Sequence, residues 1–306
     1  AGWDVYIMEV ILSTAVLVIF AYISSKGSGL SGNLQFIFCV FMGLVVAGLF
    51  AASFMVGDFS FENAQPVFNS DNGVWTSIIL IVAIAPWMYV GFDNIPQAAE
   101  EFKFPADKTF KLIVFGIIAS ILTYVAMILL TSWIYADQNA IDGAMWVTGS
   151  VVQTSMGTIG MILLAFAITF GVFTGLNGFY LSSSRLIFAL GRANFVPAIF
   201  AKVHPKNKTP YVAVWFVMIV TLAAPWLGRT ALSWIVDMSS VGVSVAFLAT
   251  SLVSVKFFSK GAEKNMTYVV FGVLGAIISV VFLVLLLFPG SPAALTMPSL
   301  IALAAW

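Results

Sequence analysis

Charged residues are scarce in this chain: they make up 8% of its 306 residues, whereas hydrophobic residues make up 61%. Soluble domains carry about 25% charged residues, so this composition excludes an ordinary soluble protein. The 13 basic and 13 acidic side chains balance, so the chain has no net basic field that would indicate nucleic-acid binding. The composition instead predicts an all-α, polytopic integral membrane protein.

Cysteine and histidine are nearly absent. The single Cys39 excludes an intrachain disulfide, and we expect it to be a small buried hydrophobic residue. The single His204 has no Cys or acidic residue at metal-ligand spacing, so we expect it to be solvated and predict no metal site. The sequence also lacks a phosphate loop, a nucleophile elbow and a metalloprotease helix, so it predicts neither a cofactor nor an enzyme.

Long apolar stretches dominate the chain. Spanning a bilayer takes roughly 20 apolar helical residues. Eight such stretches are predicted, and a ninth begins near Ala293. The eight are residues 5–23, 34–56, 75–98, 110–135, 158–190, 211–227, 231–257 and 268–288. The fifth is too long for a perpendicular span, so we expect it to tilt or to continue past the membrane surface.

Basic residues are confined to alternate loops, with Arg229 as the exception. The basic loops or helix ends carry Lys26, Lys103, Lys108, Lys111, Arg185, Arg192, Lys202, Lys206, Lys208, Lys256, Lys260 and Lys264. The opposite loops carry Asp58, Glu62, Asp71, Asp137 and Asp142. The positive-inside rule therefore predicts a multi-pass protein of the plasma membrane with its basic loops in the cytoplasm.

The ends of the chain carry no recognisable signals. The first residue is not Met, no basic leader follows it, and the last residues lie in an apolar stretch. The predicted topology also places the first residues outside the cell. We therefore expect the chain to be part of a longer protein with further helices upstream.

The third apolar stretch contains a predicted break. Pro86 and Pro96 flank Gly91 symmetrically. Each proline removes an N–H donor and clashes with the carbonyl four residues before it, which frees the carbonyls of Val82 and Phe92. Unpaired carbonyls within a membrane are costly unless another group binds them.

Asp93 lies beside this break, and an acidic residue inside a membrane is expected to face a cavity or a partner. Exposed carbonyls next to a carboxylate suit the ammonium group of a solute. The alternative is a simple proline kink, in which Asp93 is solvated at the interface together with Glu100 and Glu101.

The fifth stretch carries a glycine face. Gly171, Gly175 and Gly178 recur at helical spacing, which favours close packing of another helix. Asn177 and Phe179 lie among these glycines, and for them a role in lining a cavity and a role in packing are equally open.

Other polar residues within the spans are weaker signals. We expect the serines at 182–184 to hydrogen-bond to carbonyls one turn earlier in their own helix. Glu9 and Asp237 are interpreted as solvated residues at the membrane interface.

Two motifs together resemble a known family. Gly-Phe-Asp at 91–93, followed by Ala-Glu-Glu at 99–101 and Pro105, resembles the sixth-helix signature of the amino acid-polyamine-organocation (APC) superfamily of permeases. Residues 184–192 and 197–210, which include Ser-Arg-Leu-Ile-Phe-Ala-Leu-Gly-Arg and Lys-Val-His-Pro, resemble the same family's eighth helix and following cytoplasmic loop.

The resemblance implies a fold. The chain would hold helices four to twelve of a twelve-helix permease, which is a LeuT-type transporter of five-plus-five inverted repeats lacking its first three helices. Residues 1–57 would hold helices four and five, 75–258 would hold helices six to ten of the second repeat, and 267–306 would hold helices eleven and twelve, the last truncated.

The resemblance also implies a function and a site. Such permeases are secondary active transporters, symporters or exchangers, that move an amino acid or related amine by alternating access, with a proton or sodium as a possible coupling ion. Carbonyls around Trp87, Val90 and Gly91 would receive the substrate amine, Trp87 would act as an aromatic gate, and Phe179 would face the substrate. The implied substrate-binding residues are Trp87, Met88, Val90, Gly91, Phe92, Asp93, Asn94, Asn177 and Phe179.

The chain departs from the family pattern at several positions. The signature usually has Glu where Asp93 stands and Asn where Phe104 stands, and the eighth-helix motif usually continues Asp-Gly where Ala193-Asn194 stands. Many members carry a lysine in helix five that helps couple transport to protons. This chain has Met42 near that place, which puts coupling by that lysine in question.

Two other classes of membrane protein compete with the transporter. A channel or receptor-like membrane protein requires a continuous polar pore stripe or a large soluble region, and neither is visible. A membrane-embedded enzyme requires paired acids or histidine clusters inside the spans. The broken helix around Gly91 favours the transporter, and the channel or receptor stays the alternative.

Overall fold

The computed structural model describes residues 5–57, 59–65, 73–101, 104–105, 107–134, 146–261 and 264–305. Several residues of the predicted topology lie outside these ranges, namely Asp58, Asp71, Lys103, Tyr135, Asp137 and Asp142. Within the ranges the regular structure is helical and contains no strand.

Ten α-helices are formed by the described residues. They are α1 (Ile7–Lys26), α2 (Ser28–Ser53), α3 (Gly73–Met88), α4 (Asn94–Gln97), α5 (Asp107–Ile134), α6 (Val147–Arg192), α7 (Tyr211–Thr221), α8 (Gly228–Phe258), α9 (Met266–Leu287) and α10 (Met297–Ala305). Six of them, α1, α2, α5, α6, α8 and α9, are long and apolar enough to cross a membrane, whereas α3 and α7 are shorter apolar helices. Seven of the eight predicted spans each overlap one of these helices, and the third, 75–98, overlaps both α3 and α4. The prediction of an all-α polytopic membrane protein is confirmed.

Two glycines decide helix boundaries, one of which the hydropathy pattern misplaced. Gly27 has φ = 134°, which side chains disfavour, and it is the single residue between α1 and α2. The second span therefore begins at Ser28 rather than at the predicted residue 34. Gly157 (φ = 63°) divides α6, so that its long apolar part begins at the predicted residue 158. The helical residues 147–156 before it were not predicted, because a segment of that length is too short to span a bilayer.

The chain forms two compact units. The first unit comprises Tyr6–Val67 and Gly91–Pro225, and the second comprises Ala1–Val5, Phe68–Val90 and Trp226–Trp306. The predicted division into residues 1–57, 75–258 and 267–306 rests on the family resemblance rather than on contacts within the chain, and it stays a prediction.

The first unit has two hydrophobic cores that share α6. One joins α2, α5 and α6 through Leu49, Leu130, Ile134, Val151, Val152 and Leu164. The other joins α1, α6 and α7 through Phe20, Ala21, Tyr180 and Val214. Both cores therefore fix the position of helix α6.

The second unit is held by a close approach of α9 to α8. A Cβ placed on Gly272 would lie 3.0 Å from the carbonyl oxygen of Ser251, and one on Gly275 would lie 2.6 Å from the Ser251 hydroxyl oxygen. Larger side chains would separate the two helices, so these glycines set their distance.

Two predictions about single polar or small residues in the spans are wrong. Cys39 is exposed on α2 rather than buried. Asp237 is not simply solvated, because its Oδ2 accepts a hydrogen bond of 2.5 Å from the hydroxyl of Ser299, which is buried in the first turn of α10. Glu9 is exposed in the first turn of α1, as predicted.

Candidate functional site

The helical path is interrupted where the sequence predicts it. Helix α3 ends at Met88, α4 begins at Asn94, and the five residues between them form turns. Gly91 has φ = 126°, a backbone conformation that glycine adopts readily and other residues do not. The predicted break around Gly91 is confirmed, although Pro86 and Pro96 both lie inside helical turns on either side of it.

The carbonyls at the break are partly occupied. The prediction that the Phe92 carbonyl is unpaired is wrong, since the Ile95 N–H donates to it over 3.3 Å. The Val90 N–H donates to the Trp87 carbonyl over 3.3 Å, and the Asn94 N–H donates to the Gly91 carbonyl over 3.1 Å. Among the described residues, no group donates to the Val90 carbonyl. A carbonyl has two lone pairs, so the occupied ones retain capacity for a second donor.

Asp93 caps this turn with its side chain. Its Oδ1 accepts the Gly91 N–H over 2.8 Å, and its Oδ2 accepts from the Gln97 amide over 3.4 Å. The carboxylate is partly buried and tied to the backbone of the break. One side chain therefore fixes the turn and places a negative charge beside it.

Glu100 and Glu101 are both exposed, as the alternative reading expects, but Glu101 is not simply solvated, because it pairs with a buried arginine. Its two carboxylate oxygens accept from Nε (2.7 Å) and from a terminal nitrogen (3.3 Å) of Arg185. Arg185 is 7% exposed and also donates to the Ser184 hydroxyl, whereas Glu101 is 31% exposed. Two parallel hydrogen bonds between a guanidinium and a carboxylate fix relative orientation as well as distance.

Glu100 makes a second, more exposed ion pair with Arg192. The distance is 2.8 Å, and the side chains of Arg192 and Glu100 are 51% and 74% exposed. Two of the three acidic residues of the first motif, Glu100 and Glu101, thus each pair with one of the two arginines of the second. The two motifs that resemble the permease family are therefore connected by two ion pairs within the first unit.

The glycine face of α6 receives neighbours at two of its three positions. A Cβ on Gly178 would lie 3.2 Å from the side-chain nitrogen of Asn94 in α4, and one on Gly171 would lie 3.4 Å from the sulfur of Met42 in α2. Nothing lies within 4 Å of the corresponding position at Gly175. The packing prediction is confirmed for Gly171 and Gly178, and Gly178 brings Asn94 onto α6.

Asn177 and Phe179 differ in their surroundings. Asn177 is 2% exposed, accepts from the Ser31 hydroxyl (2.7 Å), and donates to the Ser31 carbonyl (3.0 Å) and to the Gln35 side chain (2.9 Å). Phe179 is exposed. Asn177 therefore ties α6 to α2, while Phe179 presents an uncovered aromatic face. Trp87, in the second unit, is also exposed, and its neighbour Met88 is half-buried.

Sequence reasoning missed several partners and one polar turn. Ser31 and Gln35 carry no signal as partners of Asn177 other than their polarity in an apolar stretch. His204 is half-buried rather than solvated, and its Nδ1 accepts two backbone N–H groups in the loop after α6.

The predicted back-bonding of the serines is confirmed for Ser182 and Ser184. No cluster of potential metal ligands is found among the described residues.

The contact of Gly178 with Asn94 leads to a first prediction. Gly178→Ala places a methyl group 3.2 Å from the Asn94 amide, so the amide has to move by a few tenths of an ångström. The transport activity that the family resemblance implies should fall several-fold with little loss of folded protein, measured as initial uptake rate and unfolding temperature.

Gly175→Ala is the matched control, because its Cβ meets open space on the same helix. Exchanging a helical glycine for alanine is favourable by up to about 1 kcal/mol, so this variant should be active and at least as stable as the parent. Equal activities of the two variants would contradict a role for the Asn94 contact.

The fold and the break define a class of protein. It is an all-helical, multi-pass membrane protein with an apolar helix interrupted at a glycine and an acidic residue capping the interruption. A family model described as amino acid permease matches residues 2–305, and the chain belongs to this family.

Individual relatives are similar over part of their length. The branched-chain amino acid permease BcaP of Bacillus subtilis is 28% identical over 62% of this chain and 40% of the relative. The methylthioribose transporter of the same organism is 28% identical over 62% of this chain and 41% of the relative. The chloroplastic cationic amino acid transporter 7 of Arabidopsis thaliana is 26% identical over 67% of this chain and 35% of the relative. The chain thus spans well under two thirds of the length of these relatives.

Proposed function

We propose that the protein is a secondary transporter that carries an amino acid or a related amine across the plasma membrane by alternating access. The observation that carries the proposal is the break at Gly91, where the Val90 carbonyl has no donor among the described residues. An unsatisfied carbonyl within a membrane is costly, and a bound ammonium group would satisfy it. Membership in a permease family and relatives that are named for amino acid transport support the same reading.

The proposed site is the interrupted segment with its flanking side chains. The carbonyls of Trp87, Val90 and Gly91 receive the amine, and the charge of Asp93 favours a cation there. Trp87 acts as the gate. The family resemblance adds Met88, Phe92, Asn94, Asn177 and Phe179 to the proposed residues. This division matches the usual composition of small-molecule sites, which are apolar with a few placed polar groups.

The proposal includes a coupling ion and an orientation of the protein in the membrane. The basic loops face the cytoplasm, and a proton or sodium gradient drives or accompanies transport. Met42 packs against Gly171 with its sulfur, so this position offers no titratable group for proton coupling.

Uptake into proteoliposomes tests the function. The protein, at its full natural length, is screened for uptake and counterflow of branched-chain, cationic and other amino acids, of simple amines and of methylthioribose. Each solute is tested with and without a proton or sodium gradient. We expect saturable uptake of one amine-bearing class. Flux that never saturates would favour a channel. Uptake of methylthioribose alone would show that the solute needs no amine, which contradicts the proposal.

Two substitutions of Asp93 separate its charge from its capping bond. Asp93→Asn keeps an oxygen that can accept the Gly91 N–H but removes the charge, whereas Asp93→Ala removes both. We expect the Asp93→Asn variant to take up solute at least tenfold more slowly at an unchanged unfolding temperature. Loss of a charge interaction of about 1.4 kcal/mol corresponds to a tenfold change in rate. Alanine should also lower the unfolding temperature. Wild-type uptake kinetics in Asp93→Asn would show that the carboxylate serves only as a cap.

A further inference from the structure

Four exposed lysines occur at one end of the first unit, and we call them the lysine face. Lys26 is the last residue of α1, and Lys202, Lys206 and Lys208 belong to the connection between α6 and α7. All four side chains are exposed. The two segments are far apart in sequence, so only the fold associates them.

Hydrogen bonds dock the connection onto the end of α1. The Ser25 carbonyl accepts from the Thr209 hydroxyl over 2.8 Å and from the Asn207 amide over 3.2 Å. The turn at Gly27 is also close, since a Cβ there would lie 3.8 Å from the Asn207 carbonyl oxygen. Lys206 and Lys208 flank Asn207, and Lys26 follows Ser25, so their backbones are neighbours.

The connection has a defined conformation before any ligand binds. The Nδ1 of His204 accepts the N–H groups of Lys206 (3.2 Å) and Asn207 (3.1 Å). The His204 N–H donates to the Thr209 carbonyl (2.8 Å), and its own carbonyl accepts the Lys208 N–H (2.9 Å). Lys208 adopts φ = 56° in this turn. The lysines are therefore presented on a fixed turn, and less ordering entropy is lost on binding.

The lysine face carries uncompensated positive charge. Residues 10–57 and 143–236, which include all four lysines, contain no Asp or Glu. The one acidic residue of α1, Glu9, lies in its first turn, at the opposite end of the helix from Lys26. The carboxylates of Glu101 and Glu100 already pair with Arg185 and Arg192. In the described part of the chain, none of the four lysines takes part in an ion pair.

The position of the lysine face matches the level of lipid headgroups. It lies at the ends of three apolar helices, α1, α6 and α7. The ammonium group of Lys26 lies 4.7 Å from the ring centre of Tyr22, whose side chain is exposed one turn earlier on α1. Tyrosine and lysine in this arrangement are typical of the membrane interface. Lysine binds phosphate as a point charge, and juxtamembrane basic clusters attract anionic lipids.

We propose that the lysine face binds the phosphate of anionic phospholipid headgroups. This site is independent of the proposed transport, because none of its residues belongs to the break at Gly91. Lipid bound there would join the end of α1 to the α6–α7 connection.

Lipid binding to the purified protein tests the proposal. Native mass spectrometry in a neutral detergent compares phosphatidylglycerol with phosphatidylcholine for the parent and for a Lys26→Gln/Lys206→Gln/Lys208→Gln variant. Each lysine contributes about fivefold to the affinity for an anionic surface, so the variant should bind phosphatidylglycerol at least about tenfold more weakly. The preference of the parent should fall as salt is added.

Two variants control for charge and folding. Lys256→Gln/Lys260→Gln/Lys264→Gln removes three lysines around the connection between α8 and α9, where Glu263 stands among them in the sequence. It should retain the binding of the parent. Arginine at positions 26, 206 and 208 should also retain it, because the charge is kept.

Several results would overturn the proposal. The parent could bind both lipids equally, or the two glutamine variants could lose binding equally, which would indicate a general effect of charge. Inorganic phosphate that displaces the lipid at equal concentration would identify a free anion as the ligand instead.

Discussion

Glu101→Gln lowers the free energy of unfolding by about 2 to 4 kcal/mol, because it leaves the guanidinium of Arg185 buried without its counter-charge. Arg185 is 7% exposed, and Glu101 supplies both carboxylate oxygens to it. Removing one partner of a fully buried pair costs about 3 to 5 kcal/mol, and the partial exposure of Glu101 reduces the effect. The change is measured by monitoring unfolding in detergent with circular dichroism.

The adjacent Glu100→Gln is the matched control. It removes the same charge from the exposed pair with Arg192, so the cost should be at most about 1 kcal/mol. An apolar double variant, Arg185→Met/Glu101→Met, should recover much of the stability lost in Glu101→Gln, because no buried charge remains. Equal losses in free energy of unfolding for Glu100→Gln and Glu101→Gln would show that the burial of Arg185 does not determine the size of the effect.

Glu101→Gln should also affect transport more than Glu100→Gln. The bidentate pair holds the turn after α4 against α6, and α4 follows the break directly. If the break is the substrate site, loosening this anchor should lower the uptake rate in protein that is still folded at the assay temperature.

Asn177→Ala is the second large effect, with an expected loss of about 2 to 4 kcal/mol. The substitution removes three hydrogen bonds and leaves the buried Ser31 hydroxyl and the Gln35 amide oxygen without their partner. Each buried polar group left unsatisfied costs about 1 to 3 kcal/mol. Thermal unfolding of the variant in detergent measures the loss.

Ser182→Ala is the control for Asn177→Ala on the same helix. Ser182 is also buried, but its hydroxyl donates only to the carbonyl of Phe179 within α6, so its loss should cost less than about 1 kcal/mol. A small effect of Asn177→Ala, together with a strong loss of substrate binding, would mean that Asn177 serves the site rather than the packing of α2 on α6.

The asymmetry between these residues shows where sequence reasoning stops. Glu100 and Glu101 are adjacent and chemically alike, yet Glu101 pairs with a buried arginine and Glu100 with an exposed one. Their arginine partners lie 84 and 92 residues further along the chain. No local pattern distinguishes the two acids, because the difference lies in their partners: Arg185 is buried within α6, whereas Arg192 is the exposed last residue of that helix.

The sequence by itself determined the class of protein, the approximate position of every span and the location of the break. These properties depend on local quantities: mean hydropathy over about 20 residues, and the conformational freedom of a glycine. The glycine spacing in α6 likewise predicted close packing, and it did so correctly at Gly171 and Gly178.

Only the tertiary structure decided which face of each helix is covered. Lipid is as apolar as a protein interior, so the buried face of a spanning helix carries no hydrophobic contrast with the exposed face. Cys39 was therefore expected inside and lies outside, and Asn177 was equally suited to a cavity or a contact until its partners on α2 were known. The lysine face likewise depends on the docking of a loop onto α1, which is set by hydrogen bonds between residues remote in sequence.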